Sequence, residues 1–342
     1  MFKRILVPLD GGTLAERVLP VAARIARASV GSIILLRVVR HPFEFGYGNN
    51  SMPMAAMTLG GLADADIANA TNYLKGIASS SYLAGVNTSI EVHSGPAAIV
   101  IFNATQSQHI DLIVMSSQGD TGLKRWILGS VSQKVARHSS VPVLVLRRSQ
   151  ETPTKEAQPR PYAERPMRIL VPLDGSVLAR EALIPAAQLI AALAAPGQGA
   201  MHLVRVIKPL PFHGGQELDT TTKEHMLERA KKYLGSITEH LKGGFAAQLK
   251  LTVTWSVAID TDVASAIIRV AENGEDAEGS GAFGGCDVIA MATHGRGGLQ
   301  RWAMGSVTER VLQGTKLPLL IVRAQNKTSE SEVNEEEAMI TV

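Results

Sequence analysis

The sequence predicts an α/β fold built as two tandem copies of one domain, each a parallel sheet wrapped on both faces by helices. Three observations predict it. Ile5 to Gly11 (ILVPLDG) recurs unchanged as Ile169 to Gly175, and Gly119 to Val131 (GDTGLKRWILGSV) recurs in close form as Gly295 to Val307 (GRGGLQRWAMGSV). Short apolar runs alternate with helical stretches through both copies, the pattern of a parallel sheet with crossover helices. The 342 residues are 45% apolar but only 4% aromatic, a balance carried by Ala, Val, Leu and Ile that suits buried parallel strands and close-packed helices.

In the first copy, Ile5 to Leu9 is a short buried strand. Thr13 to Ala28 is a helix with Leu14, Val18, Val21, Ala22 and Ile25 on its apolar face and capping-box spacing between Thr13 and Glu16. Ile33 to Val39 is the second strand, and Ile67 to Leu83 a helix. Strand Ile90 to His93, helix Ala97 to Gln106 and strand Leu112 to Ser116 follow, then helix Ser130 to His138 and the closing strand Val143 to Arg147. The second copy gives the same order through Ile169, Leu203 to Ile207, Val253 to Trp255, Val288 to Ala292 and Leu319 to Val322. Pro20 and Pro185, in register, should bend the first helix of each copy. The two closing strands, 141–147 and 317–323, are apolar and would otherwise be exposed edges.

The first repeat block has an offset of 164 residues and the last one 176, so the register slips by 12 between them. Residues 272–285, rich in Gly and acidic side chains, should hold most of that slip as a flexible surface insertion. The reading is domain 1 over 1–149, a Pro-rich linker over 150–165, domain 2 over 166–326 and an acidic, disordered tail over 327–342. The tail holds five glutamates; residues 1–327 carry a formal +8 against +3 for the whole chain, spread without a dense basic run, which argues against nucleic acid. The opening MFKRILVPLD offers only a short apolar stretch before Asp10 and predicts a cytoplasmic chain. The apolar stretch 182–195 is too short for a bilayer, so no membrane association is expected. A single cysteine, Cys286, excludes a disulfide framework and reads as a core filler; the nine histidines form no metal-ligand spacing.

In an open parallel sheet, ligands sit at the carboxyl ends of the strands where the strand order reverses. Asp10 and Asp174 fall there, placed either to accept hydrogen bonds from a ribose hydroxyl or adenine amino group or simply to fix the Asp-Gly turn. After the fourth strand, a glycine-bearing turn leads by nine residues into Gly129-Ser130-Val131-Ser132 in one copy and Gly305-Ser306-Val307-Thr308 in the other. Glycine lets backbone approach an anion closely, and a helix start presents unpaired N–H groups, so this volume suits phosphates.

The strand-Asp start, the spaced glycine segment and the R-W-x-x-G-S-V run resemble the universal stress protein family in tandem form, over nearly all of 1–149 and 166–326. The resemblance implies an adenine-nucleotide-binding domain of the adenine nucleotide α-hydrolase-like (HUP) class, with a doubly wound five-stranded parallel sheet, twice over and packed as a pseudo-dimer. It implies ATP as ligand, with Mg2+. Carried over by position, Pro8, Asp10 and Val38 line the adenosine end of domain 1, with Met115, Gly119, Gly129, Ser130, Val131 and Ser132 toward the phosphates. In domain 2 the set is Pro172, Asp174, Val206, Ala292, Gly295, Gly305, Ser306, Val307 and Thr308. His294 and Arg296 are added there as phosphate contacts, where domain 1 has Gln118 and Asp120. Domain 2 is therefore expected to bind ATP more tightly. Both copies depart from the family motif at its first glycine, which is Ser116 and Ala292 here; a close-packed strand end would accept either, whereas positive φ would not.

No catalytic cluster or metal site is predicted. Arg125-Trp126 and Arg301-Trp302 read as helix-packing pairs near a domain contact, and 41–62 as a long loop, either surface, lid or partner contact. The expected function is a nucleotide-responsive stress regulator with little or no hydrolysis, possessing an unidentified protein partner and able to form a homodimer. The alternative is a nucleotide-free tandem scaffold acting through protein contacts.

Overall fold

The computed structural model describes residues 1–39, 53–117, 128–147, 166–209, 220–277, 281–294 and 304–323. Domain 1 runs β1 (Arg4–Leu9), α1 (Thr13–Glu16), α2 (Leu19–Ser29), β2 (Ser32–Val39), α3 (Pro53–Ala78), a 3-10 turn (Ser81–Leu83), β3 (Asn87–Ser94), α4 (Ala97–Ser107), β4 (Leu112–Ser116), α5 (Ser130–His138) and β5 (Val143–Leu146). Domain 2 runs β6 (Met167–Pro172), α6 (Val177–Arg180), α7 (Leu183–Ala194), β7 (Gly199–Ile207), α8 (Thr220–Gly243), α9 (Phe245–Gln248), β8 (Thr252–Ile259), α10 (Val263–Asn273), β9 (Glu275–Ala277), β10 (Gly281–Phe283), β11 (Val288–Ala292), α11 (Ser306–Gly314) and β12 (Leu319–Val322).

Ten strands make one sheet in the order β3-β2-β1-β4-β5-β12-β11-β6-β7-β8. Each half is parallel and doubly wound, as the sequence predicts. The closing strands do pair, antiparallel, with Leu319 opposite Val145, Leu320 opposite Leu144 and Ile321 opposite Val143. Leu144 and Leu320 are fully buried at this seam, and burial of each such side chain contributes about 1.5–3 kcal/mol. One apolar layer lies between the sheet and α2, α3, α7 and α8, the other between the sheet and α4, α5, α10 and α11. The first layer crosses the domain boundary, where α2 packs on α7 and Arg24 donates to the Ala195 carbonyl at 3.4 Å.

Several expectations change. The prolines break rather than bend the first helices: Pro20 sits in the first turn of α2 and Pro185 in that of α7, where a missing N–H costs least. Gly12, not Thr13, is the N-cap of α1, so the Thr13–Glu16 capping box does not form, and Glu16 accepts from the Tyr73 hydroxyl at 2.9 Å instead. In domain 2 Ser176 occupies the cap position and accepts from the Ala179 N–H. The second long helix starts at Pro53, so 53–62 is helical rather than loop. Within the insertion in domain 2, β9 and β10 pair antiparallel, Ala277 opposite Gly281 and Glu275 opposite Phe283. The apolar stretch Val177–Ala194 is long enough by composition to cross a membrane, but here it is the two helices α6 and α7, with Leu183, Ala186, Leu189 and Ile190 in the core. Cys286 is a buried core residue. The linker, the tail, residues 41–52 and both Arg-Trp pairs lie outside the described residues.

Candidate functional site

Each half of the sheet reverses its strand order once, between β1 and β4 in domain 1 and between β6 and β11 in domain 2. Only two residue pairs join the strands there, Ile5–Leu112 and Leu6–Ile113, and Val288–Ile169 and Ile289–Leu170. Extending these registers puts Asp10 level with Ser117 and Asp174 level with Thr293, facing each other across two equivalent crevices at the carboxyl ends.

One wall of each crevice is set by a tight turn. Asp10 Oδ1 accepts from the Gly12 N–H at 2.9 Å, and Asp174 Oδ1 accepts from the Ser176 N–H at 2.9 Å and its hydroxyl at 2.6 Å. The residue between, Gly11 or Gly175, has φ of +89° or +91°, the left-handed region that favours glycine. A β-carbon at Gly11 would also collide with the Arg37 guanidinium. The aspartates thus fix their turns, and Asp10 remains exposed to the crevice mouth. Pro8 and Pro172 sit in the strands before them; Val38 and Val206 lie near the ends of the neighbouring strands, half-buried.

Behind each turn lies an arginine that the motif did not single out. Arg37, paired in register with Leu9, lies over the Tyr73 ring at 4.9 Å, and Arg205 lies over Tyr233 at 5.1 Å. Burial and the hydrogen bond to Glu16 push the Tyr73 phenol well above the usual range, so it stays a donor. The shared LRVV and VRVI stretches, an arginine inside an otherwise apolar run at the same place in both copies, are the signal that could have found this pair.

The opposite wall is built by β4 and α5, or β11 and α11. The Gly129 N–H donates to the Ser117 carbonyl at 2.8 Å and the Gly305 N–H to the Thr293 carbonyl at 2.7 Å, tying each helix start to its strand end. Both N-caps are glycine without a side-chain cap, and the first intrahelical bonds are Gln133 N–H to the Gly129 carbonyl and Glu309 N–H to the Gly305 carbonyl. The N–H groups before them, on residues 130–132 and 306–308, belong to no such bond, and the helix end adds about half a positive charge. Ser130 and Ser306 are exposed, Val131 and Val307 half-buried. Ser132 and Thr308 are buried, their hydroxyls donating to the Ser116 carbonyl at 2.8 Å and the Ala292 carbonyl at 3.0 Å. They clasp the strand end and hold the helix start in place.

Ser116 and Ala292 end their strands without positive φ, so the first-glycine position here asks for small size and not for a left-handed backbone. Met115 and Met291 before them are buried. His294 follows Thr293, its Nδ1 3.0 Å from the Thr293 hydroxyl. Its Nε2 is buried and meets no hydrogen-bond partner among the described residues. Burial first, and the Arg323 guanidinium second, hold its pKa below the usual imidazole range, so the ring is neutral near pH 7. Arg147 and Arg323, each one residue past a closing strand, were also missed, although both stand in the repeated closing block; burial lowers the Arg147 guanidinium to about 10. Gly119, Gly295 and Arg296 lie outside the described residues.

Comparison with known proteins agrees with this architecture. The sequence is 29% identical over 152 residues to universal stress protein YxiE of Bacillus subtilis, 43% of this chain and 100% of that protein. It is 25% identical over 224 residues to universal stress protein Rv2005c of Mycobacterium tuberculosis, 64% of this chain and 63% of that one. A putative universal stress protein of Pseudomonas aeruginosa shares the fold at a TM-score of 0.56, with 19% identity and 94% of both chains covered. The universal stress protein family model matches residues 1–147 and again 166–323, which are the two halves of the sheet with their paired crevices. With both copies matched, the chain belongs to the universal stress protein family.

Proposed function

We propose that the chain binds an adenine nucleotide, ATP, in the crevice at the carboxyl end of each half-sheet and acts as a nucleotide-responsive stress regulator. The observation that carries the reading is the twofold cradle: an Asp-Gly turn faces a glycine-capped helix start across the strand-order reversal, in both copies. The residues fit such a ligand. A β-carbon on Gly305 would lie 3.2 Å from the Thr293 carbonyl, and the helix start has no side-chain cap hydrogen bond, an arrangement that suits a phosphate. The Nε2 of His294, without a hydrogen-bond partner among the described residues, is one more polar atom beside the domain 2 cradle, which supports tighter binding there. Among the described residues no three His, Cys, Asp or Glu side chains gather, so Mg2+ would arrive on the phosphate oxygens with its own waters. Little or no hydrolysis is part of the reading, since Asp10 and Asp174 stand at the adenosine end and spend a carboxylate oxygen on their turns.

The test is the thermal midpoint of the full chain with and without Mg-ATP, compared with Asp174→Asn and Gly305→Ala. At 100 times the dissociation constant a ligand adds about 2.7 kcal/mol to the site it fills. A rise in the parent that these domain 2 variants reduce supports the reading. No rise, with no adenine absorbance in the purified chain, would favour a nucleotide-free scaffold joined through its β5–β12 seam.

A further inference from the structure

The helices that start at the two crevices, α5 and α11, lie on the same face of the sheet and meet across the β5–β12 seam. Glu309 stands in the first turn of α11, just past the N–H groups that face the domain 2 crevice. A carboxylate there favours the helix but repels an incoming polyphosphate. Its partner comes from the other domain: the Arg137 guanidinium, in the last turn of α5, forms an ion pair with Glu309 Oε1, and both side chains are about one-third exposed. The Gln313 amide also reaches Glu309 Oε1, at 3.4 Å, but brings no charge. Arg323, one residue past β12, donates to the His138 carbonyl at 3.2 Å and so holds the end of α5 against domain 2.

Resting on the nucleotide reading above, we propose that Arg137 of domain 1 is a positioning residue for the domain 2 crevice, neutralising Glu309 so that α11 accepts a polyphosphate. The arrangement is one-sided. At the 176-residue offset the counterparts of Arg137 and Glu309 are Gln313 and Gln133, so the domain 1 helix start carries no acid at the Glu309 position and meets no cation at the Arg137 position. Domain 2 therefore binds phosphate only as well as domain 1 is docked upon it, whereas domain 1 binds independently of this pair.

The experiment titrates ATP and adenosine separately into the full chain by calorimetry, for the parent, Arg137→Gln, Arg137→Lys, Glu309→Gln and the Arg137→Gln/Glu309→Gln pair. One unbalanced charge within about 10 Å of a phosphate at intermediate dielectric corresponds to roughly tenfold in affinity. Arg137→Gln should weaken ATP at one of the two sites about tenfold and leave adenosine unchanged, with the loss shrinking in high salt. Arg137→Lys should retain ATP affinity, and the double variant should regain it. Equal weakening of ATP and adenosine, or a loss that persists when Glu309 is also neutral, would overturn the proposal and leave the nucleotide reading standing. A parent that binds neither ATP nor adenosine would overturn both.

Discussion

His202 offers a pH-linked stability that the structure allows to be worked out. It lies on β7 with no exposed surface, Nδ1 2.8 Å from the Thr254 hydroxyl and Nε2 2.8 Å from the Ser256 hydroxyl, both on the edge strand β8. One ring nitrogen donates and the other accepts, so the neutral imidazole is satisfied. Burial first, and the Arg168 guanidinium second, lower its pKa from 6.5 to about 3. An unfolded chain takes up a proton on this ring below pH 6.5 while the folded chain does not until about pH 3, so stability is fully present above 6.5 and falls as pH drops through that window. Each pH unit is worth about 1.4 kcal/mol, which gives about 2 kcal/mol between pH 7.5 and pH 5. The assay is urea unfolding of the parent and His202→Gln at both pH values. The parent should lose about 2 kcal/mol more than the variant on acidification. Equal losses would refute the argument and mean that the buried ring is not what titrates.

Three further outcomes are expected. Gly11→Ala combines left-handed φ with the Arg37 guanidinium in the β-carbon's place, so it should cost roughly 2 kcal/mol or more in urea unfolding. Gly85→Ala, at φ +75° but with open space around it, should cost less, and an equal cost would remove Arg37 from the account. Thr308→Val keeps the shape and deletes the donor to the buried Ala292 carbonyl, a loss of about 1–2 kcal/mol read from the urea midpoint. Val30 ends α2 in left-handed backbone, φ 48°, and is 85% exposed, so Val30→Gly should stabilise by about 0.5–1 kcal/mol, visible as a higher thermal midpoint.

The strands were legible because each is a short apolar run flanked by turn chemistry, and the unchanged VPLDG block places both aspartates at equivalent strand ends. The small-residue reading of Ser116 and Ala292 was legible for the same reason, since two copies sample one constraint twice. Boundaries that depend on which residue takes the N-cap were not. Thr13 carries the right side chain one position too late, and in domain 2 the cap falls to Ser176, the register equivalent of Gly12. The start of α3 was hidden by Pro53 and Gly60-Gly61, residues that punctuate loops in isolation but are tolerated in a helix whose later turns, at Ala70 and Leu74, are anchored in the core. His202 could not be read at all: its partners stand 52 and 54 residues later, on a strand that only the fold brings beside it.

The antiparallel seam between β5 and β12 has an evolutionary corollary. Two identical subunits joined about a twofold axis must present each substitution twice, once on either side, so a lone acid at one crevice and its lone cation on the facing helix cannot arise without their mirror images. Covalent fusion lifts that symmetry requirement. Arg137 and Glu309, with glutamines at their mirror positions, are an ion pair written on one side of the axis alone, and it is the single chain, not the fold, that permits the halves to specialise.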